Sequence, residues 1–412
     1  MIRAALLVLA VALASQAAEP PPVAVPPYYS VRYEASEVPG ELGVAVTHTL
    51  WIPPGVKALR GVIVHQHGCG ISSGISGLTA AYDLNWQALA KKWDCALLGP
   101  AYHLKKDTEC RKWCDPRNGS DAAFQKALAY FAAEAQHPEL TTVPWCLWGH
   151  SGGGFWSSLM LTLHPERIAA IFFRSGSAYA IWQRGEIPKP TLTPAVYEVP
   201  FMFIGGVKEA QDKSHGPARI GDRAMLKDWR EHGAPGGIAS DPLSGHECGD
   251  SRYLAIAFFD ACLAQRLPES GQTLRPVGKG VTIDNSWLPD AGFAKTWASY
   301  NQTGQPSDDT PPPAPTHVVF ANNQLAWNAE ADLESGLAGF IIERDGKEIA
   351  RLPQKTVGKL GTPLFQGLNG GDTPIIAQPP MTFKDNADGK HEYAVRSVNA
   401  AGLISAPATT MP

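Results

Sequence analysis

Between Tyr28 and Leu267 the hydrophobic positions fall into short uninterrupted runs separated by segments of helical spacing. Gly61–Gln66 (G-V-I-V-H-Q) and residues 95–100, 143–148, 168–173 and 200–204 read as strands of continuous apolar character, the pattern of a sheet covered on both faces. Residues 28–35 and 44–52 read as an opening antiparallel pair. Residues 78–92 place Leu84, Ala88 and Leu89 on one helical face. Further helices are expected over 121–135 with Ser120 as cap, 153–163, 217–232 and 252–265. Strands alternating with helices predict an α/β fold: a mainly parallel sheet in three layers, with its functional site at the carboxyl ends of strands.

The pattern changes after about Tyr300. Residues 301–315 (N-Q-T-G-Q-P-S-D-D-T-P-P-P-A-P) form an extended, semi-rigid Pro-rich linker. Beyond it come short alternating strands at 324–327, 337–344, 348–352, 382–384 and 392–398, with Asp345-Gly346 as a hairpin turn. The expected organisation is a domain over 28–300, the linker, and a small all-β sandwich over 316–412.

Composition adds the compartment. The first 18 residues have one positive charge, an apolar run and then small residues, with Ser15-Gln16-Ala17 as a cleavage site. That is the form of a secretory signal peptide, so a secreted or periplasmic protein is expected, with no membrane insertion after cleavage. The chain has 412 residues, 44% hydrophobic and 18% charged, with a formal charge of −4 and no Lys/Arg run, which gives no case for a nucleic-acid partner. Seven cysteines in an oxidising compartment should mostly pair and leave at least one over. Cys110 and Cys114 could close a small loop, and Cys69 with Cys248 is another bridge to consider.

The chemistry concentrates at Gly149-His150-Ser151-Gly152-Gly153. A G-x-S-x-G sequence between an apolar strand and a helix is a nucleophile elbow, which presents a serine at the apex of a sharp turn. A serine hydroxyl needs a base to take its proton, and the base needs a carboxylate to orient it. Glu209 follows the strand V-P-F-M-F-I-G-G at the right distance and is the favoured acid, with Asp212 as the alternative. His246, in the Gly-flanked loop S-G-H-E-C-G-D-S before the last helix of the domain, is the favoured base, ahead of His215 and His232. An oxyanion requires two backbone N–H donors. Gly152 supplies one, and His67-Gly68-Cys69-Gly70 after the third strand supplies the other through Cys69. His65 and His67 lack a third ligand at metal-site spacing, so neither a metal nor a cofactor is expected. Tyr102, Trp113 and Trp182 fall in loops and are candidate substrate-binding aromatics.

With these pieces in place, the first three hundred residues resemble an α/β-hydrolase. H-G-C-G, G-H-S-G-G and H-P-E-R-I-A-A-I-F-F-R-S-G resemble the secreted feruloyl esterase and polyhydroxybutyrate depolymerase group. The resemblance implies ester hydrolysis through an acyl-enzyme, with Ser151 as nucleophile, His246 as base and Glu209 or Asp212 as acid. It departs at Gly152, where that group often has alanine, and at the insert 104–118. The C-terminal residues W-N-A-E…G-F-I-I-E-R-D-G…Y-A-V-R-S-V-N-A-A-G resemble a fibronectin type III domain, with Trp327 and Tyr393 at its core positions. The expected partner is an ester substrate, small or polymeric, from plant polymers, sugars or polyesters. A serine peptidase on the same fold and a non-catalytic binding protein are the competing classes.

Overall fold

The computed structural model describes residues 24–213, 215–268, 273–353 and 381–410; the expected signal peptide lies outside them. Strands β1 (Tyr28–Tyr33), β2 (Val46–Trp51), β3 (Gly61–Gln66), β4 (Cys95–Tyr102), β5 (Trp145–His150), β6 (Ile168–Arg174), β7 (Phe201–Gly206) and β8 (Gly236–Asp241) form one sheet in the order β1-β2-β4-β3-β5-β6-β7-β8. The pairs β1–β2 and β2–β4 are antiparallel, and every other neighbouring pair is parallel. The connections between these strands carry helices α1 (Ile71–Thr79), α2 (Leu84–Lys92), α3 (Arg111–Cys114), α4 (Ser120–Glu134), α5 (Gly152–Leu163), α6 (Tyr179–Gln183) and α7 (Gly216–Glu231), and α8 (Arg252–Arg266) and α9 (Ala291–Thr303) follow β8.

The uninterrupted apolar runs have a simple cause. Successive side chains of a strand point to opposite faces, and here both faces are covered. Val62 and Val64 of β3, Leu147 of β5, Ile171 and Phe173 of β6, and Phe201 and Phe203 of β7 enter one core, with Phe124 of α4, Leu159 of α5 and Trp229 of α7. Their neighbours Ile63, Trp148, Phe172, Met202 and Ile204 enter a second core, with Trp86 of α2, Phe259 of α8 and Trp297 of α9. An alternating polar residue would have no solvent to face on either side. Each fully buried Phe or Leu in these rows contributes about 1.5–3 kcal/mol.

The helical span expected over 78–92 is interrupted. A turn at Ala80–Tyr82 separates α1 from α2, and Asp83 caps α2 by accepting from the N–H groups of Asn85 (2.9 Å) and Trp86 (3.2 Å). The second oxygen of Asp83 pairs with Arg252 inside the protein, so α2 is tied to α8. Ser120 is not the cap of α4. Its hydroxyl donates to the Trp113 carbonyl at 2.6 Å, and Gly119 holds the cap position with φ +90°. Strand β8 and helix α9 escape the sequence pattern. G-G-I-A-S-D lacks an apolar run because β8 is an edge strand, and α9 runs to Thr303, three residues into the expected linker.

Beyond a two-stranded pair of β9 (Val281–Ile283) and β10 (Ser286–Leu288), the remaining strands form separate antiparallel sheets. Those strands are β11 (Thr316–Ala321), β12 (Gln324–Asn328), β13 (Gly339–Arg344), β14 (Lys347–Leu352), β15 (Thr382–Lys384), β16 (Tyr393–Val398) and β17 (Ala408–Thr409). One sheet has the order β11-β12-β15, the other β14-β13-β16-β17. Trp327, Phe340, Ile342, Tyr393 and Val395 share an apolar cluster that also receives Leu84 of α2. Asn85 Nδ2 donates to the Asp332 carbonyl (2.8 Å) and Lys91 pairs with Glu330 (2.6 Å), so α2 contacts both the large sheet and this region.

Two buried histidines make the fold sensitive to acid. Burial holds His48 at about 3 and His67 at about 4, against an ordinary 6.5. Above pH 6.5 neither the folded nor the unfolded state binds these protons. As the pH falls below it, the unfolded chain takes them up first, and each imidazole removes up to about 1.4 kcal/mol of stability per pH unit. His48→Leu is expected to flatten the pH dependence of the unfolding free energy, measured by urea titration between pH 6.5 and 4, by about that slope. Parallel curves for the variant and the parent would contradict the assignment.

Candidate active site

The elbow forms because β5 and α5 meet without a loop. Ser151 sits between them at φ 52°, ψ −111°. That is a left-handed conformation that costs a residue with a side chain on the order of 1–3 kcal/mol. The surroundings hold it there. Ser151 N–H donates to the Arg174 carbonyl at the end of β6 (2.8 Å), and the Ser151 carbonyl accepts the first helical bond from Phe155 N–H (3.0 Å). A Cβ on Gly153 would meet the backbone carbonyls of Gln66 and His67, so glycine there lets α5 pass under the end of β3.

Two loops, each just past a strand end, bring the remaining groups to Ser151. The loop after β8 carries His246, whose Nε2 accepts from the Ser151 hydroxyl at 2.9 Å. The turn after β7 carries Glu209, which accepts from His246 Nδ1 at 2.7 Å. Glu209 is buried. Burial alone would raise its carboxyl. Hydrogen bonds from His246 and from the Ser175 hydroxyl (2.8 Å), with the charges of His246 and Arg174, outweigh that and hold it below the usual range. Asp212 does not take this place. It lies on the exposed side of the same turn and accepts from His215 Nδ1 at 2.7 Å. His215 is no base for Ser151 here, but its ring stacks on His246 at 3.9 Å. His232 lies elsewhere, stacked on Tyr197.

Arg174 is the residue that sequence reasoning passed over. It is fully buried at the end of β6. It donates to the carbonyls of Gly245 (2.8 Å), Glu247 and Cys248 (3.2 Å), to the Ser244 hydroxyl (2.9 Å) and to Ser175. It thereby clamps the loop that carries His246. The signal was present: a cation closing an apolar strand must find buried acceptors.

The expected oxyanion donors also converge. Gly152 opens α5, so its N–H has no intrahelical partner, and Cys69 N lies 3.2 Å from where a Gly152 Cβ would sit. The loop is fixed from two sides. His67 donates Nδ1–H to the Gly68 carbonyl (2.6 Å) and accepts from Tyr102 N–H at Nε2 (3.0 Å), which leaves neither nitrogen for a metal. Cys69 forms a disulfide with Cys110. Neither Cys110–Cys114 nor Cys69–Cys248 forms, and most cysteines do not pair: Cys95, Cys114, Cys146, Cys248 and Cys262 are buried thiols. They lie inside the two cores, where no second cysteine meets them in bonding geometry. The bridge explains the departure at residue 152. A side chain there would collide with both sulfurs, so the alanine common in the resembled group has no room.

Beside Ser151 lies a cleft of about 240 Å³, lined in part by Arg111, Phe155, Ile181 and Arg184. The aromatics expected in it are elsewhere. Tyr102, Trp113 and Trp182 are almost wholly buried. Tyr102 and Trp113 stack on each other at 4.5 Å, joining the end of β4 to the insert, and Trp182 packs edge-on against Tyr179. Tyr102 ends β4 while Trp113 and Trp182 sit in the short helices α3 and α6, and a large ring gains more from the core than from an open loop. A larger recess of about 520 Å³, lined by residues such as Arg60, Glu139, Arg167 and Arg266, lies at the amino ends of β3, β5, β6 and β7, away from Ser151, and has no histidine among its described lining residues.

No family model and no curated protein matches the chain. Among solved structures it is similar to poly(aspartic acid) hydrolase-1 from Sphingomonas sp. KT-1, at 15% identity over 53% of this chain and 93% of that one, with a TM-score of 0.39. It is similar to dienelactone hydrolase from Anabaena variabilis ATCC 29413, at 18% identity over 58% and 99%, with a TM-score of 0.36. It is also similar to an S-formylglutathione hydrolase from Agrobacterium tumefaciens, at 15% identity over 57% and 93%, with a TM-score of 0.38.

The two carboxylates are separable by experiment. If Glu209 orients the base, Glu209→Gln lowers kcat by about 10⁴, the effect of presenting the wrong tautomer. Asp212→Asn, acting on an exposed pair, is expected to lower it by less than about tenfold. Steady-state kinetics of the two variants checks this, and the reverse order would move the acid to Asp212.

Proposed function

We propose that this chain is a serine hydrolase of the α/β-hydrolase type that cleaves carboxylic esters through an acyl-enzyme. One observation carries the reading: Ser151, His246 and Glu209 form a continuous hydrogen-bonded relay at 2.9 and 2.7 Å. The relay stands at the carboxyl ends of β5, β7 and β8, where a parallel sheet of this topology places its site.

In this reading His246 Nε2 takes the hydroxyl proton as Ser151 Oγ attacks the ester carbonyl. Glu209 holds the ring in the tautomer that accepts at Nε2 and stabilises the imidazolium that forms. The N–H groups of Cys69 and Gly152 receive the developing oxyanion, and one such donor is worth about 3 kcal/mol to the transition state. His246 then returns the proton to the leaving alcohol, and water repeats the sequence on the acyl-enzyme. Neither a metal nor a cofactor enters any step.

The wider setting belongs to the same proposal. The N-terminal sequence directs export and the protein works outside the cytoplasm. Its substrates are esters of plant polymers, sugars or polyesters. The C-terminal sheets form a fibronectin type III-like sandwich that spaces or tethers the catalytic domain, and none of its described residues lines the cleft at Ser151. Among the described residues no helix is long and apolar enough to cross a membrane.

A panel of ester substrates, with matched peptide substrates, assayed on the parent and on Ser151→Ala tests the reading. Ester turnover is expected in the parent, and its kcat should fall by about 10⁶ in the variant. Turnover of peptides but not esters would make the protein a peptidase on the same machinery. An ester rate that survives Ser151→Ala would place the nucleophile elsewhere.

A further inference from the structure

The cleft beside Ser151 carries a charge sign opposite to that of the whole chain. The protein has a formal charge of −4, yet the charged side chains lining this cleft are Arg111 and Arg184, with no carboxylate among the described lining residues. Arg184 is paired with Glu186 at 2.6 Å on the surface. Arg111 has no acidic partner among the described residues. Its guanidinium lies over the Phe155 ring, with Cζ 4.5 Å from the ring centroid.

The acids nearest Arg111 in sequence are engaged. Asp107 accepts from Ile71 N–H (2.8 Å), Glu109 accepts from the N–H groups of Lys105 (2.9 Å) and Lys106 (3.0 Å) and pairs with Lys112 (2.9 Å), and Asp115 pairs with Arg117 (2.6 Å). A guanidinium covered by a ring keeps its in-plane N–H fork for a planar acceptor, and a carboxylate fits that fork with two parallel hydrogen bonds.

Two constraints hold this cation beside the reacting atoms. Phe155 stands one turn along α5 from the nucleophile, its N–H bonded to the Ser151 carbonyl. Cys110, the residue before Arg111, is bridged to Cys69 in the expected oxyanion loop. Arg111 is therefore part of a fixed wall.

We infer that Arg111 is a specificity-determining residue that selects esters bearing a carboxylate close to the scissile bond. The inference rests on the ester-hydrolase reading. The carboxylate can stand on the acyl side or on the leaving group, and paired substrates distinguish the two. One pair is para-nitrophenyl hemisuccinate against its neutral methyl ester; the other is carboxyl-substituted para-nitrophenyl acetate against para-nitrophenyl acetate.

For each pair the ratio of kcat/KM, charged over neutral, is measured in the parent, Arg111→Gln and Arg111→Lys. In the pair that places its carboxylate on Arg111, the ratio is expected to fall about tenfold in Arg111→Gln, the worth of one charge-assisted contact. Arg111→Lys recovers part of it. The pair that responds identifies the side. Ratios unchanged by Arg111→Gln in both pairs would overturn the inference while leaving the hydrolase reading intact. Turnover that is unaffected by Ser151→Ala would instead remove that reading and this inference with it.

Discussion

Everything at the site depends on the enclosed charge of Arg174. A guanidinium cut off from water costs several kcal/mol unless its donors are met. Here they are met by three carbonyls and two hydroxyls, most of them in the segment 244–248. The same cation stands 4.0 Å from Glu209 Oε2, and the carbonyl of its own residue receives Ser151 N–H. One residue thus binds the loop that carries His246, favours the ionised form of Glu209 and anchors the strained Ser151. That His246 meets both Ser151 and Glu209 is a consequence of this shared anchor.

The sheet supplies the frame in which such an anchor works. Because β3 to β7 are buried on both faces, their carboxyl ends are fixed by two cores at once. The loops that leave those ends start from rigid points, so side chains distant in sequence can be placed to a fraction of an ångström. The strain at Ser151 is tolerated for the same reason: β5 and α5 are each held by packing, and the turn between them has no room to relax.

The disulfide extends this rigidity across the cleft. It ties the loop after β3 to the insert that carries Arg111, and it occupies the space that a side chain at residue 152 would need. A bond that fixes one wall of the cleft therefore also limits the residue after Ser151 to glycine. The insert 104–118 and Gly152, two departures from the resembled group, are two sides of one contact.

Much of this was legible in the sequence because it is locally coded. Apolar runs covered on both faces marked β3 to β7, G-x-S-x-G between strand and helix marked the elbow, and strand-end position singled out Glu209 and His246. What the sequence left open depends on which surfaces meet. Edge strand β8 has one neighbour and so no apolar run to betray it. Ser120 had the composition of a cap, but the Trp113 carbonyl was a better partner than its own helix. Tyr102, Trp113 and Trp182 fell in segments with no strong period, where nothing local tells a ring turned to the core from one turned to a ligand. Sulfur pairing and the role of Arg174 are long-range by nature: each is decided by the group that happens to lie opposite once the chain has closed. Periodicity determined the layers and the motif determined the turn at Ser151, while partner choice belonged to tertiary structure, because a hydrogen bond or a disulfide depends on distance in space and a sequence records only distance along the chain.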